Sequence, residues 1–174
     1  KKAEFRSNDL LWICRRDSGI RPRSAATLWK AMVRPLLEYA AELWSGEISR
    51  ALVNTGESIQ TNFARAVLSL QGQRGVSNVF VIAELCLEKL ESRWEKLRLG
   101  YWRRIQVAQP SRALVAVARA RRWQLMWGGA GIGRLGWMRG TRQLLNDRGM
   151  AVYWSDPAKC AQLSKIEWEA MVYD

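Results

Sequence analysis

No histidine occurs anywhere in the 174 residues. That removes Ser/His/Asp and Cys/His triads, in which an imidazole moves the proton, and every metal centre that needs an imidazole ligand. Cysteine is scarce: Cys14, Cys86 and Cys160 lie far apart, odd in number and without a C-x-x-C pair. Such spacing argues against a disulfide framework and a zinc knuckle, and suits buried thiols in a reducing compartment. No apolar run approaches the ~18 residues of a membrane-crossing helix. No secretory signal opens the chain, which is charged from Lys1 onward; its start without Met reads as an excerpt of something longer. An intracellular protein with no membrane partner is expected.

Acidic residues are missing from one long window. Between Lys96 and Asn146 there is no Asp or Glu, and the window holds Lys96, Arg98, Arg103, Arg104, Arg112, Arg119, Arg121, Arg122, Arg134, Arg139 and Arg142. The whole chain has a net charge of +12, so these eleven cations leave the remainder nearly neutral. Arginine outnumbers lysine 21 to 7. The guanidinium fork grips phosphate bidentately and stacks on bases, so arginine excess suits nucleic acid better than solubility alone. A block of one sign this long repels itself unless a polyanion neutralises it. A solvated basic face without a partner is the competing interpretation. At 100° per residue, Arg119 and Arg122 share a helix side with Trp123 beside them, offering phosphate contact plus stacking. The eleven cations and Trp123 are therefore the candidate nucleic-acid-binding residues.

Strand signals do not recur, whereas helical periodicity does. Residues 4–16 form an amphipathic segment with Phe5, Leu11 and Trp12. Gly19 and Pro22 make a turn, and Ser24 can cap a helix from about Ala25 to Trp44. That helix has Pro35 in its middle: either Pro35 bends it, or one helix ends at Arg34 and another restarts at Pro35. Trp29, Val33, Leu36, Leu37, Leu43 and Trp44 are its expected core residues. A third helix, from about Glu47 to Leu70, has an interruption allowed at 54–56 and apolar positions Ile59, Phe63, Ala66, Val67 and Leu70. After the loop "QGQRG", Ser77 caps a short buried helix. The next helix carries the stripe Leu90, Trp94, Leu97, Tyr101 and Ile105, with Lys89, Lys96, Arg103 and Arg104 pointing elsewhere. A helix over 111–127 would face Leu114, Val117 and Ala118 inward and Arg119, Arg121 and Arg122 outward. Another helix runs to about Arg148, stopped by Gly149. Asp156-Pro157 caps the last, which carries Leu163, Ile166, Ala170 and Met171. The expected fold is all-α, an irregular bundle of seven or eight helices with negligible strand. Its domains are a bundle over 1–107 and a basic, Trp-rich helical extension over 108–174.

Two motif matches carry little chemistry. "GIGRLG" (131–136) fits G-x-G-x-x-G, but a dinucleotide site needs a preceding strand, and here the basic helix "ARARRWQLMW" precedes it. A flexible hinge is expected instead, and no cofactor. The carboxylates Glu38 and Glu42, Glu84 and Glu88, and Glu88 with Glu91 and Glu95 share helix faces. Their neighbours Lys89, Arg93 and Lys96 suggest surface ion pairs, not a catalytic or metal-binding set.

The segments "GIRPRSAATLWKAMVRPLLEYAAELW", "ESIQTNFARAVLSLQG" and "NVFVIAELCLEKLESRWEKLRLGYWRRI" together resemble the region after the catalytic palm in reverse transcriptases of LINE-type non-LTR retrotransposons. The family pattern there is roughly L(W/Y)..(L/M)V.P.LEYG.E.W, then (L/I)Q..(F/A).R..LG, then N.A...ELG..PL..R....RL.YW.R, and the match runs in order over about residues 18–105. Two departures stand out: Ala40 where the family often has Gly after "EY", and Cys86 where it has the Gly of "ELG". The missing glycine at Cys86 predicts an altered loop there.

The resemblance implies a thumb and the helical connector beyond it, a bundle that holds a template–primer duplex against the palm. The palm's own signature, two aspartates in an F/Y-A-D-D turn that bind Mg²⁺, is absent from this sequence. A non-catalytic domain gripping phosphate backbone, on RNA or an RNA–DNA duplex, is expected, nuclear if part of an intact retroelement. The alternative is a retroelement fragment reused as an RNA-binding subunit of a ribonucleoprotein, such as a mitochondrial or other organellar ribosome. Ten tryptophans exceed what one small core buries, which favours that alternative and protein partners on an exposed tryptophan surface.

Overall fold

The computed structural model describes residues 1–14, 19–108, 116–118, 120 and 136–173. Among the described residues the chain is all-α and contains no strand. Eleven helices appear: α1 (Lys2–Ile13), α2 (Pro22–Met32), α3 (Arg34–Glu38), α4 (Ala41–Trp44), α5 (Arg50–Val67), α6 (Asn78–Glu84), α7 (Leu90–Val107), α8 (Gly136–Asp147), α9 (Val152–Ser155), α10 (Ala158–Gln162) and α11 (Lys165–Tyr173). Even among the described residues the number exceeds the expected seven or eight, because two expected helices are broken and α9 is an additional one.

The first break lies in the Pro35 segment. Val33 closes α2 and opens α3, which carries Pro35 in its first turn, where the missing N–H costs nothing. A second break follows at Tyr39 (ψ 117°) and Ala40 (φ 53°), before α4 begins. Each break resets the 100° periodicity, so the apolar residues do not share one face. Trp29 and Val33 are fully buried, Leu37 and Trp44 half-buried, and Leu36 and Leu43 exposed rather than in the core. The expected last helix is likewise divided, into α10 and α11, and α9 precedes it as a helix that the sequence reading did not include. There Trp168 and Val172 face inward, while Ile166 and Ala170 are exposed. Ser164, not Asp156-Pro157, opens α11. Its Oγ accepts from Glu167 N at 3.2 Å, and Glu167 Oε2 accepts from Ser164 N at 2.7 Å, a reciprocal capping box.

Contacts group the chain into two compact units. The first comprises Lys1–Tyr39 and Ser49–Arg93, the second Ala40–Ile48 and Trp94–Asp174. This division follows packing, whereas the boundary at 107/108 follows composition. In the first unit α1 turns Ala3, Ser7 and Leu10 inward and leaves Phe5 and Trp12 exposed. The helix α5 runs unbroken through 54–56, because Gly56 lies on its buried face with Val53, Gln60, Phe63 and Ala64. Trp29 and Phe63 meet with ring centroids 5.8 Å apart. Buried Gln60 donates to the Glu88 carbonyl at 2.9 Å, so its amide is satisfied. The short helix α6 is half-buried: Val81 and Ile82 face inward, Val79 and Phe80 outward.

The core of the second unit gathers Leu99, Trp102, Met138, Leu144, Leu145, Met150, Trp154, Cys160, Trp168 and Val172. Trp102 stacks on Trp154 with centroids 4.9 Å apart. Trp44 meets Trp94 edge-on at 5.1 Å. Trp29, Trp94, Trp102, Trp154 and Trp168 are thus buried, Trp44 and Trp137 half-buried, and Trp12 exposed. The tryptophans are mostly core, which removes most of the expected aromatic partner surface among the described residues.

Candidate nucleic-acid interface

Six of the twelve candidate residues, Arg112, Arg119, Arg121, Arg122, Trp123 and Arg134, lie outside the described residues, as does most of "GIGRLG". Of the helix expected over 111–127, residues 116–118 and 120 are described and helical. Ala118 is buried there, and Val117 is exposed where it was expected inside.

The other six separate into distinct roles. Arg98 is not an interface residue: it is only 6% exposed. Its guanidinium fits the space left by two glycines. A Cβ on Gly46 would meet its Nη1 at 2.6 Å, and one on Gly140 at 3.2 Å. Its Nε finds no hydrogen-bond acceptor among the described residues. Burial pushes its pKa down, and the charge of Glu95 opposes that only in part. Arg103 is half-buried and donates from Nη2 to the Leu163 carbonyl at 2.7 Å. Lys96 is half-buried, with Nζ 4.0 Å from the centre of the Tyr173 ring. Arg103 and Lys96 thus tie parts of the second unit together, whereas Arg98 fills its interior at a desolvation cost.

Arg104 is exposed. It lies over Tyr101, 5.3 Å from the ring centre, and 3.8 Å from a Glu42 carboxylate oxygen. An ion pair so long and so open to water is worth ~1 kcal/mol at most, so a phosphate can displace it.

Arg139 and Arg142 stand free on α8. Both are exposed, and among the described residues no carboxylate pairs with either. They share the outward side of α8 with the amides Gln143 and Asn146, while Met138, Thr141, Leu144 and Leu145 turn inward. Three contacts fix the start of this helix. Glu47 Oε1 accepts from Trp137 N at 2.9 Å, and Trp137 Nε1 donates to the Glu42 carbonyl at 2.5 Å. At Gly140 the backbone approaches the 46 turn so closely that a Cβ would lie 3.1 Å from the Gly46 oxygen. The result is a helix face bearing two guanidiniums, unpaired among the described residues, and the amide of Asn146, while the Gln143 amide donates to the exposed Asp147 carboxylate at 2.7 Å on the same helix. That chemistry suits phosphate oxygens.

The carboxylates form ion pairs, as the sequence suggests, but mostly between elements. Glu38 takes Arg93 at 3.0 Å and Arg34 at 3.6 Å, Glu95 takes Arg148 at 2.9 Å, and Glu91 takes Arg50. Among the described residues no three acidic or cysteine side chains gather as metal ligands would, and no helix is long and apolar enough to cross a membrane.

One strongly connected residue escaped the sequence reading. Arg65 donates to the carbonyls of Gln73 at 3.3 Å and Val76 at 2.5 Å, and from Nε and Nη2 to Asn78 Oδ1 at 3.1 and 2.8 Å. Its signal was the acid-free stretch 58–83 around it. Comparison with protein-family models, curated proteins and solved structures finds no match.

Proposed function

We propose that the chain is a non-catalytic, nucleic-acid-binding helical module of the kind that follows the palm in LINE-type reverse transcriptases, gripping phosphate backbone through its arginine-rich half. The observation that carries this reading concerns backbone conformation. Among the described residues three non-glycines have positive φ: Ala40 (53°), Ser69 (57°) and Cys86 (49°). L-residues rarely adopt that region, and glycine does so freely. These three positions are the glycines of the three family motifs, of "LEYG", "LG" and "ELG". Cys86 N donates to the Ala83 carbonyl at 2.8 Å and Leu87 N to that of Ile82 at 3.0 Å, the helix ending a glycine normally supplies.

Residues of the motifs also pair with one another. Trp29 of the first motif packs on Phe63 of the second, Glu38 of the first binds Arg93 of the third, and Arg65 of the second binds Asn78 of the third. Glu42 of the first lies near Arg104 of the third. Within each unit, residues of the motifs thus satisfy one another, and binding falls to cations outside those pairs. Among the described residues of the basic window, Arg139 and Arg142 are exposed and have no carboxylate partner. The alternative of a reused ribonucleoprotein subunit drew on the tryptophan surplus, which the chain's own packing largely consumes.

The test reverses those two charges. Arg139→Glu with Arg142→Glu should weaken binding to an RNA–DNA hybrid duplex by about tenfold or more. Arg21→Glu with Arg23→Glu, equally exposed and in the first unit, should weaken it far less. Equal losses would mean diffuse charge attraction and would sink the assignment.

A further inference from the structure

The Arg65 cluster lies in the first unit, away in sequence from the basic window, and none of the residues that it organises belongs to the candidate interface above. Its geometry has a consequence for the loop between α5 and α6. Leu70, Gln73 and Val76 turn their carbonyls toward the one guanidinium, at 3.5, 3.3 and 2.5 Å. No peptide bond among the described residues is cis. In a trans peptide the N–H points opposite to its C=O. The N–H groups of Gln71, Arg74 and Ser77 are therefore directed away from Arg65, and none has an acceptor among the described residues. Gly72 (φ 73°) and Gly75 (φ 89°) supply the left-handed turns that alternate the peptide planes, and a Cβ on either would meet nothing within 4 Å. Space is open beside both glycines, and Gln71, Arg74 and Ser77 are exposed residues.

Within the loop 71–77 itself no residue is acidic; the exposed carboxylate that follows in sequence is Glu84, one turn beyond Phe80 on α6. Gln71, Gln73 and Arg74 are exposed. No Asp or Glu occurs between Glu57 and Glu84 in the sequence, and the Glu57 carboxylate is engaged by Glu91 N at 3.1 Å. Amides left without acceptors in a glycine-rich loop can donate to an anion, and the exposed Arg74 guanidinium beside them adds the charge. Arg65 supplies no charge to this outer side; it holds the loop in the binding shape before any ligand arrives. One step along the chain, in the first turn of α6, Phe80 and Val79 are 56% and 60% exposed. An exposed aromatic beside a phosphate-binding loop suits a sugar or base face.

We infer that the loop 71–77 with Arg74 and Phe80 is a second nucleic-acid contact, located in the first unit: loop amides and Arg74 take a backbone phosphate, and Phe80 packs on the adjoining nucleotide. This rests on the nucleic-acid reading proposed above and adds a contact that the basic window does not contain. The two side chains do different work, so salt separates them. Each phosphate neutralised contributes ~0.9 to the slope of log affinity against log salt on duplex DNA. Apolar packing contributes nothing to that slope.

The experiment measures affinity for a short RNA–DNA hybrid across a salt series, using the intact chain and exposed-residue variants. Arg74→Ala should lower affinity and reduce the slope by about 1. Phe80→Ala should lower affinity by about fivefold or more and leave the slope unchanged. Arg23→Ala, an exposed cation elsewhere in the same unit, should match the unaltered protein. If the unaltered protein binds with a steep slope but Arg74→Ala and Phe80→Ala match it, this contact is refuted and the proposed function stands. If Arg23→Ala loses as much as Arg74→Ala, the loop is no site. If the unaltered protein does not bind at all, the proposed function fails and this contact with it.

Discussion

Cys86 closes α6 with φ 49°, a conformation in which its Cβ crowds the following carbonyl. The same holds at Ser69 and Ala40, and all three side chains are exposed or half-exposed, with little packing to lose. Replacing each by glycine removes the strain and adds unfolded-state entropy, the first outweighing the second. Cys86→Gly, Ser69→Gly and Ala40→Gly should each raise the unfolding free energy by about 0.5–1 kcal/mol, seen as a higher urea midpoint at unchanged m. Arg98 leads the other way. A buried guanidinium without full hydrogen bonding is a net cost, so Arg98→Met should leave stability equal or higher by ~1–2 kcal/mol. It should not change affinity for nucleic acid, since Arg98 is buried. At this scale the sequence was partly legible. Ala40 and Cys86 were visible as departures from a glycine pattern. The burial of Arg98 was not, because it depends on Gly46 and Gly140, which are distant in sequence and say nothing locally about a guanidinium between them.

At the scale of elements, the apolar run over residues 25–44 concealed two breaks. Pro35 signalled the first. The second, at Tyr39 and Ala40, had no local sign except a missing glycine, since propensity alone would carry a helix through Ala-Ala-Glu-Leu. The continuity of α5 through 54–56 was hidden for the opposite reason: a glycine that looks like a breaker is a close-packing residue here. Single side chains also set how elements end. Arg65→Lys keeps the charge but loses the fork that joins the loop carbonyls to Asn78, and should cost about 2 kcal/mol, with faster amide exchange over 71–77. At α11, hydrogen bonds from the Ser164 backbone and side chain hold the Glu167 carboxyl below its ordinary pKa. A depressed carboxylate stabilises above its unfolded pKa, and the contribution is lost as pH falls through the folded value. Glu167→Gln should therefore lower helix stability at neutral pH and have no effect once the carboxyl is protonated, measured by thermal melts at both pH values.

For the molecule as a whole, the all-α class was legible because 3.6-residue periodicity recurs along the chain. The division into units was not, because 40–48 joins the second unit through contacts far away in sequence. Charge was legible as an amount and only partly as a surface: Lys96, Arg98 and Arg103 are absorbed into packing, while Arg139 and Arg142 remain on an outward helix face. Under the proposed function the chain supplies grip without chemistry. Given template, primer, nucleotides and Mg²⁺, it should extend no primer above a protein-free control. The measurement that tests the central claim most directly is the affinity for an RNA–DNA hybrid as a function of salt, with and without the α8 arginines. The proposed function predicts a steep linear fall of log affinity with log salt, and a slope smaller by about 2 in the variant Arg139→Ala with Arg142→Ala. A flat salt dependence, or a slope unchanged by removing both arginines, would contradict it.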